Sequence, residues 1–139
     1  MEAPQTPKLL VDCCVIKKPD KLVLIRRKYP PYRGQYALPG GFVDIGETVE
    51  QACTRELREE TGLVVGTKDL ELIGVFSDPQ RDPRGHGVSV AFHASFPDEQ
   101  HLDAGDDAAQ AMIIKYDPEL EIGFDHHDII QKAMNKIYG

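Results

Sequence analysis

Three glutamates, Glu56, Glu59 and Glu60, fall where an amphipathic helix should show its apolar side. The helix is read within Gly41 to Leu63, GFVDIGETVEQACTRELREETGL, where Glu47 and Thr48 suit an N-terminal turn and Gly62 a C-cap. At about 100° per residue from Val49, Glu50, Gln51, Thr54, Arg55, Arg58 and Thr61 gather on one side. Val49, Ala52, Cys53 and Leu57 gather on the other, and the three glutamates join them. A solvated acidic face would have put them among the polar set. Like charges three and four residues apart repel, and desolvating them is costly unless something positive compensates. Clustered oxygen donors suit a hard divalent cation such as Mg²⁺ or Mn²⁺. The spacing implies a metal site.

The approach to the helix supports that chemistry. Gly40 and Gly41 can set a bare carbonyl beside a ligand, because glycine allows close backbone approach. Arg55 follows Glu47 by two turns and is placed to clamp it in a charge-assisted bond that fixes loop against helix. Glu56, Glu59 and Glu60 would then share two or more cations. Such sites bridge phosphate oxygens, polarise phosphorus and lower the pKa of bound water for in-line attack.

Composition sets the frame around this site. The 139 residues fit one domain, 1–139, long enough to bury a core. A net charge of -7 argues against a nucleic-acid or anionic-membrane partner. It leaves anionic small molecules open, since a bound metal inverts the local sign. No apolar run reaches the roughly 20 residues of a membrane span, and the start MEAPQTPKLL lacks the regions of a signal peptide. Cys13, Cys14 and Cys53 are odd in number and make no C-x-x-C pair, which points to a reduced, cytoplasmic protein with buried thiols. Cys13 and Cys14 should face opposite sides of one strand.

Strands are expected around Leu9 to Lys17 and Lys21 to Arg27, turning at Pro19-Asp20. The loop Lys28 to Gln35 leads to a short strand, Tyr36 to Leu38, and then to Pro39-Gly40-Gly41. Past the helix, strands are expected at Leu70 to Phe76, Val88 to Phe96 and Ala111 to Tyr116. Ser77 to Gly87 and the acidic Pro97 to Ala109 separate them as loops, and Asp125 to Tyr138 closes as a helix. This is an α/β arrangement, a mixed sheet with helices packed on it.

With the elements in place, the chain resembles a known family. Gly41, Glu47, Arg55, Glu56, Leu57, Glu59, Glu60, Gly62 and Leu63 match the Nudix box, G-x5-E-x7-R-E-U-x-E-E-x-G-U with U aliphatic, at every specified position. The flank LVLIRRKYPPYRGQYALPGG is similar to what precedes the box in that family. The resemblance implies a Nudix-type α/β/α sandwich with a mixed β-sheet, and hydrolysis of a nucleoside diphosphate linked to another moiety. It makes Glu56, Glu59 and Glu60 metal ligands, with the Gly40 carbonyl beside them and Arg55 with Glu47 as the clamp. It puts a general base in the loop before the strand at Ala111, where Asp106 and Asp107 stand, both shorter than the glutamate expected; Glu59 is the other candidate base. It also favours a homodimer, whose second subunit completes the adenine pocket.

Substrate class is read from FSDPQRDPRGHGVS. Pro79 lies sixteen residues past the box (79 − 63 = 16), a placement that resembles the mark of ADP-ribose pyrophosphatases. Arg81 and Arg84 on this loop are suited to grip the pyrophosphate or the terminal ribose phosphate. His86 is suited to a ribose hydroxyl or the attacking water, and Tyr29 or Tyr32 to stacking on adenine, with loop packing as the plainer reading of both tyrosines. Arg26 and Arg27 alternate on a strand, so that one faces inward, to a phosphate or to the box. His126 and His127 read as ordinary exposed side chains. The leading expectation is a Mg²⁺-dependent hydrolase of ADP-ribose, yielding AMP and ribose 5-phosphate. The alternatives are a nucleoside triphosphate pyrophosphohydrolase, against which the Pro79 loop speaks, and a non-catalytic ADP-ribose sensor, against which the intact box speaks.

Overall fold

Seven consecutive buried residues, Leu10 to Ile16, make β1 (Lys8–Lys17) the central strand. Burial on both faces replaces the alternation of a half-exposed strand, as expected where helices cover the sheet on either side. The computed structural model describes residues 3–103 and 108–139, with the backbone alone at 108 and 109. The other strands are β2 (Lys21–Arg27), β3 (Tyr36–Ala37), β4 (Gly40–Phe42), β5 (Glu71–Phe76), β6 (Gly87–Ser95) and β7 (Ala108–Lys115). They form one mixed sheet in the order β3-β2-β1-β6-β5, with β4 beside β1 and β7 beside β2.

The sheet forks, and the fork makes the site. β1 and β2 pair only near their turn, at Ile16–Leu22 and Lys17–Lys21. Beyond it they diverge. β2 pairs instead with β3 at Ile25–Ala37 and Arg26–Tyr36, and β1 with β4 at Leu10–Phe42, Val11–Gly41 and Asp12–Gly40. The segment Tyr36–Phe42 thus crosses the gap, and β4 is a strand where only a glycine approach was expected. Two glycines in three residues hide it from strand propensity. β6 lies parallel to β1 along its whole length and β7 antiparallel to β2. The last strand begins at Ala108, ahead of the expected Ala111.

Helices α1 (Val49–Thr61) and α2 (His126–Tyr138) cover opposite faces. Cys13, Val15, Val23 and Phe92 pack with Ala52, Cys53 and Leu57 of α1. Cys14, Ile16, Leu22 and Leu24 pack with Ile129, Ile130 and Ala133 of α2. Cys13 and Cys14 therefore do part to opposite layers, as strand geometry requires. The result is an α/β/α sandwich. Burial pushes the Cys14 thiol up to about 12, so it behaves as a small hydrophobe. α1 starts in a capping box: Gln51 N–H donates to the Thr48 hydroxyl at 3.1 Å, and Thr48 N–H to the Gln51 side chain at 2.9 Å. It stops at Gly62, whose φ of 76° is the left-handed C-cap that a side chain disfavours.

Candidate active site

At the end of α1 the apolar stripe becomes acidic and meets the forked strands. Glu60 is buried and accepts from Gly40 N–H at 2.8 Å. The Glu56 carboxylate lies over Gly41 so closely that a Cβ there would come within 2.6–2.7 Å of it. At Gly40 a Cβ would collide with the Val11 carbonyl. Gly40 is therefore needed for close approach, while a side chain at Gly41 would displace the Glu56 carboxylate. Glu59 points more outward, with about half its side chain exposed.

Arg55 ties this end to the preceding loop. Its Nε and Nη2 donate to the two oxygens of Glu47, at 2.9 and 2.6 Å. Nη2 also reaches the Phe42 carbonyl at 3.0 Å, and Nη1 donates to Glu56 at 2.8 Å and Glu59 at 3.2 Å. Bidentate charge-assisted bonding of this kind is strong and directional. The hydrogen bonds from Arg55 first, and the Asp44 N–H second, lower Glu47 to about 2. Arg55 is correspondingly raised, chiefly by Glu47.

Glu56 and Glu60 line a cleft of about 420 Å³ together with two guanidinium groups, Arg27 and Arg84. Ile25, Lys28, Tyr29, Gly40 and Gly41 complete most of its lining. A deeper recess continues from it to Asp12, Leu38, Arg81, Phe124 and His126. Burial first, and then the neighbouring charge of Arg84, lower Arg27 from its ordinary value, with Glu60 and Asp82 opposing. Two cations are thus held together beside an acidic wall, in the size range of a small-molecule site. Arg84 is steered by Asp82, whose oxygens accept from its Nε at 3.1 Å and Nη2 at 2.8 Å.

Several expected ligand contacts are placed otherwise. Arg27, not Arg26, lines the cleft: Arg26 turns to the Tyr36 hydroxyl at 3.0 Å and stacks on that ring. Strand alternation left both open, and the fork decides between them. In place of the phosphate grip expected of it, Arg81 has a side chain only 2 % exposed. It donates to both oxygens of Asp125, at 2.9 and 2.7 Å, and its Nη2 lies 3.5 Å from Asp12. Burial works against its charge, but these carboxylates more than offset it and raise Arg81. His86 is exposed and bonds the Ser77 carbonyl at 3.1 Å. Tyr32 packs edge-on against Phe124 at 4.8 Å. Asp106 and Asp107 lie outside the described residues.

The histidines read as exposed are structural. His126 is buried; its Nδ1 accepts from Leu38 N–H at 3.0 Å, which leaves Nε2–H to face Asp12 at 3.2 Å. Asp12 also accepts from the Ser89 hydroxyl at 2.5 Å. His127 bridges the Tyr116 hydroxyl and the Leu120 carbonyl, each at 2.8 Å. Asp125 stands at the N-cap position of α2 without capping it, because Arg81 takes both its oxygens. Phe124, which lines the recess, carries no local motif that would mark it in the sequence.

The residues at the end of α1 fit a divalent cation by donor chemistry. Every candidate ligand there is a carboxylate or carbonyl oxygen, the donor set of Mg²⁺ and Mn²⁺. Glu56 and Glu60 line the cleft itself. Among the described residues no three acidic, histidine or cysteine side chains are already drawn together as a ligand set.

The model of the NUDIX domain family matches residues 6–132. An ADP-ribose pyrophosphatase of Methanocaldococcus jannaschii is 47 % identical over 120 residues, 86 % of this chain and 69 % of the relative. A MutT/nudix family protein from Enterococcus faecalis superposes with a TM-score of 0.92 at 32 % identity, over 99 % of this chain and 64 % of its own. A bifunctional NMN adenylyltransferase/ADP ribose pyrophosphatase from Francisella tularensis, solved with AMP and a manganese ion, superposes with a TM-score of 0.83 at 29 % identity. The match covers 96 % of this chain and 43 % of that one, so the chain spans less than two thirds of both solved relatives. On the fold, the intact box and these matches together, the chain belongs to the Nudix family.

Proposed function

We propose that this chain hydrolyses the diphosphate bond of ADP-ribose to AMP and ribose 5-phosphate with Mg²⁺, or Mn²⁺ in its place. The observation that carries this is the cleft itself, which is lined by Arg27 and Arg84 together with Glu56 and Glu60. A diphosphate calls for both kinds of group: guanidinium donors for its oxygens, and carboxylates that would hold a divalent cation to offset its charge. The Methanocaldococcus relative, an ADP-ribose pyrophosphatase, supports the choice of substrate.

In this scheme Glu56, Glu59, Glu60 and the Gly40 carbonyl hold the metal. A divalent cation so bound supplies charge neutralisation at phosphate and a more acidic water. Arg55 does not touch substrate; it positions Glu56 and Glu59 and pins the loop through Glu47. Arg27 and Arg84 orient the diphosphate. Water oxygen forms a bond to one phosphorus as that phosphorus releases the bridging oxygen, which departs with the other phosphate. The proton of the water passes to a carboxylate base, for which Asp106, Asp107 and Glu59 are the candidates. We assign the activity to one Nudix domain over residues 1–139 and to a homodimer.

The test is product analysis with ADP-ribose, NADH, dinucleoside polyphosphates and dNTPs, each with and without Mg²⁺. Metal-dependent release of AMP and ribose 5-phosphate, with ADP-ribose the preferred substrate, is the expected result. Preference for a dNTP, or turnover indifferent to chelator, overturns the proposal.

A further inference from the structure

Among the described residues, two that are not glycine have positive φ, Tyr32 at 61° and Phe124 at 56°, and their rings meet edge to face. Bulky side chains seldom enter the left-handed region, and they persist there only where the surroundings impose it. Around Phe124 they do. Gly123 N–H donates to the Tyr36 carbonyl at 2.8 Å. Asp125 is gripped by Arg81, and the His126 ring is fixed between Leu38 and Asp12. Position 123 has no room for a side chain, since a Cβ would meet the Tyr32 ring at 2.8 Å. Every residue next to Phe124 is therefore held by a different element of the fold.

What this strain presents is a ring beneath two like charges. The guanidinium carbon of Arg27 lies 5.0 Å from the centre of the Phe124 ring, and that of Arg84 lies 5.5 Å from it. Both distances fall within cation–π range. Arg84 is also held by Asp82 and lies 5.5 Å from the Phe42 ring, and Arg27 donates to the Pro31 carbonyl at 2.6 Å, so the Phe124 ring is the surface that the two guanidinium groups share. We propose that Phe124 is a positioning residue, an aromatic plate that keeps Arg27 and Arg84 together for the diphosphate before substrate arrives. The role rests on the cleft being a diphosphate site. It also explains why Arg81 is enclosed: by fixing Asp125, it holds the backbone beside the plate.

The experiment compares Phe124→Tyr, Phe124→Leu and Phe124→Gly in steady-state hydrolysis of ADP-ribose, thermal unfolding, and calorimetric binding of inorganic pyrophosphate to metal-free protein. Phe124→Tyr keeps the ring and retains the parental KM. Phe124→Leu raises KM about tenfold with a smaller change in kcat, and weakens pyrophosphate by the same factor. Phe124→Gly relieves the backbone but lacks the ring, so it matches the Leu variant in KM while melting no lower. A KM that follows melting temperature across the series, or a parental KM in both ringless variants, overturns the plate. A parent protein that binds pyrophosphate yet leaves ADP-ribose intact overturns the functional proposal alone. A parent that does neither overturns both.

Discussion

Two ion clusters flank the cleft, and they are built in opposite ways. Around Arg81 the charges are enclosed. One guanidinium faces Asp125 and Asp12, Ser89 and His126 complete the hydrogen bonding, and the Arg81 side chain is 2 % exposed. Around Arg55 one guanidinium, 21 % exposed, is shared among Glu47, Glu56 and Glu59 with Asp44 nearby. The first cluster is satisfied within itself and joins β1, β6, the loop before β6 and the start of α2. The second carries surplus negative charge and opens on the cleft. Charge enclosed with its hydrogen bonding complete is scaffold; clustered carboxylates beside open space call for a ligand of the other sign.

That contrast breaks most sharply at Glu60. Glu60→Gln is nearly the same shape and can still accept from Gly40 N–H, so folding should be little changed. Turnover of ADP-ribose should fall about a thousandfold, because charge stabilisation at the reacting phosphate is lost. Parental turnover in this variant, measured at saturating metal, would remove the acidic cluster from the chemistry.

The enclosed cluster should respond in stability instead. Arg81→Ala takes the guanidinium counter-charge from the buried Asp12 and the partly buried Asp125 and should lower the unfolding free energy by about 3–5 kcal/mol, read from urea denaturation. Arg55→Ala should reverse the pattern. Its midpoint shift should be small beside that of Arg81→Ala, while kcat falls about 10–100-fold as Glu56 and Glu59 lose their orientation. If the two arginines exchanged these behaviours, scaffold and site would have been assigned the wrong way round.

The same division decides what could be read from the sequence. The acidic cluster is local: all its glutamates and Arg55 sit within one helix and the turn before it, so helical phase alone aims them. Cys13 and Cys14 likewise follow from strand alternation. The enclosed cluster is not local. Arg81 and Asp125 are 44 residues apart, and Leu38 and His126 are 88 apart. No periodicity announces such pairs, so Arg81 reads as a phosphate ligand and His126 as a surface residue until the fold brings their partners. Arg26 and Arg27 are an intermediate case, since alternation separates them but only the fork in the sheet says which side is the cleft. The left-handed backbone at Phe124 leaves no local signal, because nothing in Gly-Phe-Asp-His demands it apart from tertiary contacts.

The smallest expected effect concerns the clamp alone. Glu47 is lowered to about 2 from an ordinary 4.5, mainly by the hydrogen bonds from Arg55. A carboxylate depressed in the folded state adds stability that is fully present above its unfolded value and is lost as pH falls toward the folded one. The window is therefore about pH 4.5 down to about 2. Within it the unfolded chain binds the proton first, so acid favours unfolding. Urea midpoints should fall between pH 5 and pH 3 more steeply in the parent than in Glu47→Gln, which has no proton to gain at that position. Equal slopes would mean that the Arg55–Glu47 contact is too well screened by water to act as a clamp. The orientation of Glu56 and Glu59 would then have to come from the packing of α1 against the fork.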